Sequence, residues 1–214
     1  MKYTEPKLSK SALLTIDTQC DFALPGAAAE IPGSHDIIPH IKSMLMAYRR
    51  CDLPIIQMVR LYMPDGSNVD LCRKSMVEDG MRIVSPNTPG AELVPDLKPN
   101  PDIKLDANLL LKGETQILGK KEFVIYKPRW GAFYKTPLDR HLSNLGVNSL
   151  VICGCNFPNC PRATIYEASE RDYKVVLIED AISGFYEKAK EEMRDIGVRL
   201  WSTNRVLAKI GTDI

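Results

Sequence analysis

The sequence predicts an α/β fold, a single doubly wound domain with a mostly parallel sheet of about six strands. Three observations carry this. Short apolar runs recur along the chain, each the right length for a strand buried on both faces. Segments with apolar residues at helical spacing separate most of these runs. The 214 residues fit one domain, spanning 1–214, and suffice to bury a substantial core.

Ala12-Leu13-Leu14-Thr15-Ile16-Asp17 reads as a buried strand ending on an acid. From Ile37 to Cys51, the residues Ile37, Ile38, Ile41, Met44, Leu45 and Tyr48 share one helical face. Pro54–Val59 is the next strand, and strand, helix, strand opens a parallel sheet. Between Leu61 and Lys121 the pattern blurs. Pro64, Pro86, Pro89, Pro95, Pro99 and Pro101 fall there, Pro64-Asp65-Gly66 reads as a turn, and a helix is expected near Val69–Glu78. A long irregular stretch of this kind points to a pocket wall or an oligomer contact. Regularity returns with strands at Phe123–Tyr126, Leu150–Cys153, Lys174–Ile178 and Val198–Trp201. Helices are expected at Pro137–Leu145, Pro161–Asp172 and Tyr186–Ile196. Together these elements predict a Rossmann-like three-layer sandwich, whose active site belongs beyond the carboxyl ends of its strands.

Charge and composition exclude several function classes. A formal net charge of +1 argues against nucleic acid or a membrane surface as partner. The apolar runs are too short to span a bilayer, and Met1-Lys2-Tyr3-Thr4-Glu5-Pro6 lacks an apolar signal core, so a cytoplasmic location is expected. Cys20, Cys51, Cys72, Cys153, Cys155 and Cys160 are then expected as free thiols. There is no Cys-x-x-Cys pair, and His35, His40 and His141 are scattered, so no metal site and no cofactor is expected. Gly113-x5-Gly119-Lys120-Lys121 has one residue too many for a phosphate loop and lacks its closing Ser or Thr. Neither G-x-G-x-x-G after the first strand nor a G-x-S-x-G elbow occurs.

Three polar residues fall just beyond predicted strand ends: Asp17, Lys127 and Cys160. An acid there commonly caps a helix, a lysine is commonly solvated, and a lone cysteine is commonly inert core. Cys160 stands apart because Pro161 follows it, and proline favours the first turn of a helix. At a helix N-terminus the dipole and the unpaired N–H groups stabilise an anion, which predicts a lowered thiol pKa. The same N–H groups suit the oxyanion of a tetrahedral intermediate. The histidines lie on or beside amphipathic helices, so the expected base for Cys160 is a carboxylate, and Asp17 is best placed.

Three motifs, in order and spacing, carry a family resemblance over nearly the whole chain. They are Leu14-Thr15-Ile16-Asp17-Thr18-Gln19-Cys20-Asp21-Phe22, then Lys127-Pro128-Arg129-Trp130-Gly131-Ala132-Phe133 with Thr136 and Leu138, and then Gly154 to Cys160 with Ala163-Thr164. In these the chain resembles the isochorismatase-like cysteine hydrolases, which include nicotinamidases, N-carbamoylsarcosine amidase and ureide hydrolases. The resemblance implies an Asp-Lys-Cys triad on Asp17, Lys127 and Cys160. It implies a cis peptide bond between Cys155 and Asn156, aiming the Asn156 N–H, with that of Cys160, at the oxyanion. It also implies a small amide or ureide substrate, a thioester intermediate, and a homodimer or homotetramer. Phe22, Trp130 and Phe157 are candidate pocket walls. Two departures from the family pattern stand out. Arg60-Leu61-Tyr62-Met63-Pro64-Asp65-Gly66 holds no histidine where nicotinamidases carry an Asp-x-His metal site, and Phe157 replaces a common threonine. Two other readings keep the fold: vinyl-ether hydrolysis, which needs no thiol, and a non-catalytic binding protein.

Overall fold

Ser11–Ile16 forms β1, and all six of its residues are buried. A strand covered on both faces has no polar face to alternate with, which explains its unbroken apolar run. Its alternate positions feed different layers. Leu14 and Ile16 pack with Leu138, Ile165, Ala168 and Met193 on one side. Leu13 packs with Ile41, Leu45, Tyr48, Val206 and Ile210 on the other.

The computed structural model describes residues 2–213. After β1 come β2 (Ile55–Val59), β3 (Gln116–Gly119), β4 (Glu122–Tyr126), β5 (Ser149–Gly154), β6 (Lys174–Ile182) and β7 (Arg199–Trp201). The helices are α1 (Cys20–Ala23), α2 (Ile38–Arg50), α3 (Leu71–Glu78), α4 (Ala107–Leu111), α5 (Leu138–Asn144), α6 (Cys160–Ser169), α7 (Glu187–Asp195) and α8 (Thr203–Asp213). Helices α5, α6 and α7 cover one face of the sheet, and α2 and α8 cover the other.

The strand order is β3-β4-β2-β1-β5-β6-β7. Every neighbouring pair is parallel except β3 with β4. From β1 the chain builds outward through β2 to β4, then returns to the far side of β1 as β5. That reversal is a topological switch point, where doubly wound sheets open a crevice at their carboxyl ends.

The expected three-layer sandwich is present, with seven strands. The added one, β3, is a four-residue edge strand; Ile117 is 70% exposed and the register shifts beside it. It therefore leaves no alternating pattern to read. Helices α1, α4 and α8 also add to those expected. The connection between β2 and β3 wraps its own apolar cluster, including Leu61, Tyr62, Val69, Val77, Leu93 and Leu110. All six cysteines are free thiols. Among the described residues no helix is long and apolar enough to cross a membrane.

Candidate active site

Backbone pairing continues one residue past β1 and β4. The Asp17 N–H donates to the Met58 carbonyl at 3.0 Å, and the Lys127 N–H donates to that of Val59 at 3.0 Å. Both residues are thereby fixed at the carboxyl edge of the sheet. The Cys155 N–H donates to the Ile16 carbonyl at 2.9 Å, tying the cysteine loop to β1. Gly154 makes this approach possible. It closes β5 at φ +121, and a Cβ there would run into the Ile16 backbone.

Lys127 is 0% exposed, and its Nζ donates to Asp17 Oδ2 at 2.9 Å. A charge this deep is tolerated only when paired. Asp17 Oδ1 is buried and has no partner among the described residues, so it is available to accept a proton. Asp17 also holds φ 53, a left-handed conformation that costs about 1–3 kcal/mol and collects at functional sites.

Cys160 opens α6 with Pro161 directly behind it, as the sequence predicts. Thr164 locks this start in place. Its Oγ1 donates to the Cys160 carbonyl at 2.8 Å and accepts from the Ala132 N–H at 3.1 Å, joining α6 to the loop that follows Lys127. Valine at 164 keeps the shape and removes both bonds, leaving the Ala132 N–H unpaired. Thr164→Val is expected to cost about 1–3 kcal/mol in urea unfolding, and a loss below about 0.5 kcal/mol would show that the tie contributes little.

Two expectations are corrected here. The Cys155–Asn156 bond is trans, like every peptide bond among the described residues. A non-proline bond favours trans by about 3–4 kcal/mol, and the turn is made through Gly154 at φ +121 and Asn159 at φ −113, ψ −102. The second correction concerns the thiol. Cys160 is pushed up to about 12, chiefly by burial and then by the Asp17 carboxylate, against the opposing pull of Lys127 and Arg60. Desolvation moves a pKa by several units, whereas a helix terminus contributes only about 0.3–1 kcal/mol. The resting thiol is therefore protonated at neutral pH.

This has a consequence for stability. Cys155 is also pushed up to about 12, chiefly by burial. A thiol whose pKa rises on folding stabilises the fold fully below its unfolded value, and that contribution is lost as pH climbs toward the folded value. Denaturation midpoints are therefore expected to fall from about pH 9 upward, and a flat profile between about pH 8 and 10.5 would contradict the burial of these thiols.

Asp17, Phe22, Asn156 and Cys160 line one small cavity of about 10 Å³, with Lys127 behind Asp17. That is room for about one water molecule. Neither the Asn156 nor the Cys160 N–H has an acceptor among the described residues. The other two candidate walls lie elsewhere. Trp130 lines a neighbouring cleft with Leu71 and Tyr134. Phe157 is fully buried against Phe185, with ring centroids 4.6 Å apart, because the turn before α6 points it into the core.

Arg60, Tyr62 and Arg73 also line the cavity, and sequence reasoning did not single them out. Arg60 directly follows β2, so the strand-end rule that nominates Asp17 and Lys127 covers it equally. Arg73 lies on α3 and has no comparable signal. Among the described residues no three His, Cys, Asp or Glu side chains are grouped to hold a metal ion.

Residues 109–205 match the isochorismatase domain. Over 195 residues the chain is 31% identical to a probable inactive nicotinamidase of Arabidopsis thaliana, covering 88% of this chain and 90% of that one. The chain belongs to the isochorismatase family. A crystal structure of an isochorismatase family protein from Desulfovibrio vulgaris superposes with a TM-score of 0.79 at 30% identity, covering 94% of this chain and 98% of that one. The ureidoacrylate amidohydrolase of Methylobacterium radiotolerans is 26% identical over 181 residues, 79% of this chain and 65% of that one. In this isochorismatase-family chain the cavity lies where β1, β2 and β5 end, beside the switch point of the sheet.

Proposed function

We propose that this isochorismatase-family protein is a cysteine hydrolase that cleaves the C–N bond of a small amide, carbamoyl or ureide substrate through a thioester. The observation that carries the reading is one small cavity shared by a buried thiol and a buried carboxylate whose second oxygen is unpartnered among the described residues, with a buried lysine holding the first. The amidohydrolase among the relatives supports the reaction class.

The chemistry follows from the resting protonation state. The Cys160 Sγ attacks the carbonyl carbon as its proton passes to Asp17 Oδ1, so no free thiolate accumulates. Lys127 keeps Asp17 in place throughout. The Asn156 and Cys160 N–H groups receive the oxyanion. The intermediate collapses, the C–N bond breaks, and Asp17 returns the proton to the departing nitrogen. Water then attacks the thioester, Asp17 takes its proton, the C–S bond breaks, and the thiol is restored.

Ammonia release tests this across primary amides, N-carbamoyl amino acids and ureides. Turnover of at least one class is expected, with added hydroxylamine diverting the acyl group to a hydroxamate or hydroxyurea. No turnover of any class, or turnover that hydroxylamine cannot divert, would overturn the reading.

A further inference from the structure

The cavity holds more positive charge than the reaction at Cys160 uses. Asp17 and Lys127 pair with each other. Asp70, the residue before α3, accepts from the Tyr62 hydroxyl at 2.7 Å and from Arg60 Nη2, and it lies 3.6 Å from Arg73 Nη1. One carboxylate thus faces two guanidinium groups, and the whole assembly has three cations against two anions. The donors are not used up either. Arg60 is 2% exposed, yet its Nη1 is buried without any partner among the described residues. Arg73 is half-buried, and its ion pair at 3.6 Å is too long to be a hydrogen bond. Both arginines line the cavity with Cys160, and both lie close enough to Cys160 to interact electrostatically.

A buried donor without an acceptor costs about 1–3 kcal/mol. Arg60 Nη1 is one such donor; with the loosely paired Arg73 on the same cavity and an excess of positive charge, it describes a site waiting for a planar anion, which a guanidinium receives in a two-pronged fashion. We infer that the substrate carries a carboxylate, received by Arg73 together with Arg60 Nη1, while its scissile carbonyl lies against Cys160. This rests on Cys160 being the nucleophile. The cavity of about 10 Å³ is then the arginine-filled resting state. Entry of the substrate draws Arg73 away from Asp70, which that weak ion pair permits. The substrate class narrows to small acids bearing a second, uncharged C–N carbonyl, such as N-carbamoyl amino acids, ureido acids or half-amides of dicarboxylic acids. Neutral aromatic amides are disfavoured.

Two alkylating agents of nearly the same shape, iodoacetate and iodoacetamide, test the charge preference without requiring turnover. Each displaces iodide to form a thioether on Cys160, quantified by peptide mass spectrometry. The ratio of iodoacetate to iodoacetamide rates at Cys160 is expected to exceed that for free N-acetylcysteine by at least about 10-fold, and to fall toward the free-thiol ratio in Arg73→Gln. Arg73→Lys, which keeps the charge but not the fork, is expected to restore part of the preference. A ratio at Cys160 equal to that of N-acetylcysteine, or one that survives Arg73→Gln, would overturn the inference. Absence of ammonia release from every substrate, with the iodoacetate preference intact, would instead sink the hydrolase reading and leave the anion site standing.

Discussion

Replacing Cys160 with alanine is expected to lower kcat/KM for C–N cleavage by at least about 10³-fold, equivalent to about 4 kcal/mol of transition-state stabilisation. The oxyanion donors and the arginines all remain in this variant. They have nothing to stabilise, because no covalent intermediate forms, and residues that act as one unit fail together. Loss of the fold is not the expected cause. Removing one sulfur from a buried site costs only on the order of 1 kcal/mol, and circular dichroism with a thermal melt checks that directly. Cys160→Ser is expected to fall nearly as far, since a hydroxyl is a far weaker nucleophile than a thiol toward an amide carbonyl and its ester is less reactive toward water than a thioester. An alanine variant that kept more than about a tenth of the wild-type rate would remove the thiol from the mechanism. It would return vinyl-ether hydrolysis to the front.

Lys127→Met is expected to destabilise the protein by about 3–5 kcal/mol. For a chain of this size that corresponds to a fall of roughly 6–20 °C in Tm. Methionine fills much of the volume of the lysine stem, so packing is largely kept and the loss is electrostatic. Asp17, already deep in the structure with one oxygen unpartnered, loses the only charge bonded to the other among the described residues. Its charge is then buried without a counter-charge, and it is no longer held in place to act as general base. The partner test is the double variant Asp17→Asn with Lys127→Met. It is expected to recover part of the lost stability while remaining inactive, because no buried charge is then left alone. A single-variant cost below about 1 kcal/mol would mean that water reaches the pair, and that Asp17 is not held as described.

Much of this was legible in the sequence, for identifiable reasons. Strands β1, β2, β5 and β6 pack into both helical layers, and β4 into one of them and the apolar cluster of the β2–β3 connection, so burial on both faces forces the apolar runs that reveal them. Asp17 and Lys127 stand one residue past such runs, so the strand ends located them. Pro161 marked the start of α6 and with it Cys160. The misses have causes too. β3 is short and exposed at the sheet edge, so nothing compels an alternating pattern. The helix start at Cys160 is written locally, but the depth at which it is buried is not, and that depth sets the thiol pKa. The arginine cluster joins the end of β2 to α3 across an irregular connection, whose apolar residues answer to local packing rather than to a period.

Helix α3 hangs from that connection, whereas Asp17, Lys127 and Cys160 stand on the sheet and on α6. The two groups of residues therefore answer to different constraints. Moving the sheet-bound trio means repacking the centre of the protein, while rewriting the segment that carries Arg73 disturbs only one flank. Such an arrangement lets selectivity drift, in nature or by design, while the bond-breaking apparatus is inherited unchanged. A graft of residues 60–80 from another member of the family is the smallest exchange that would carry a new appetite onto the same chemistry.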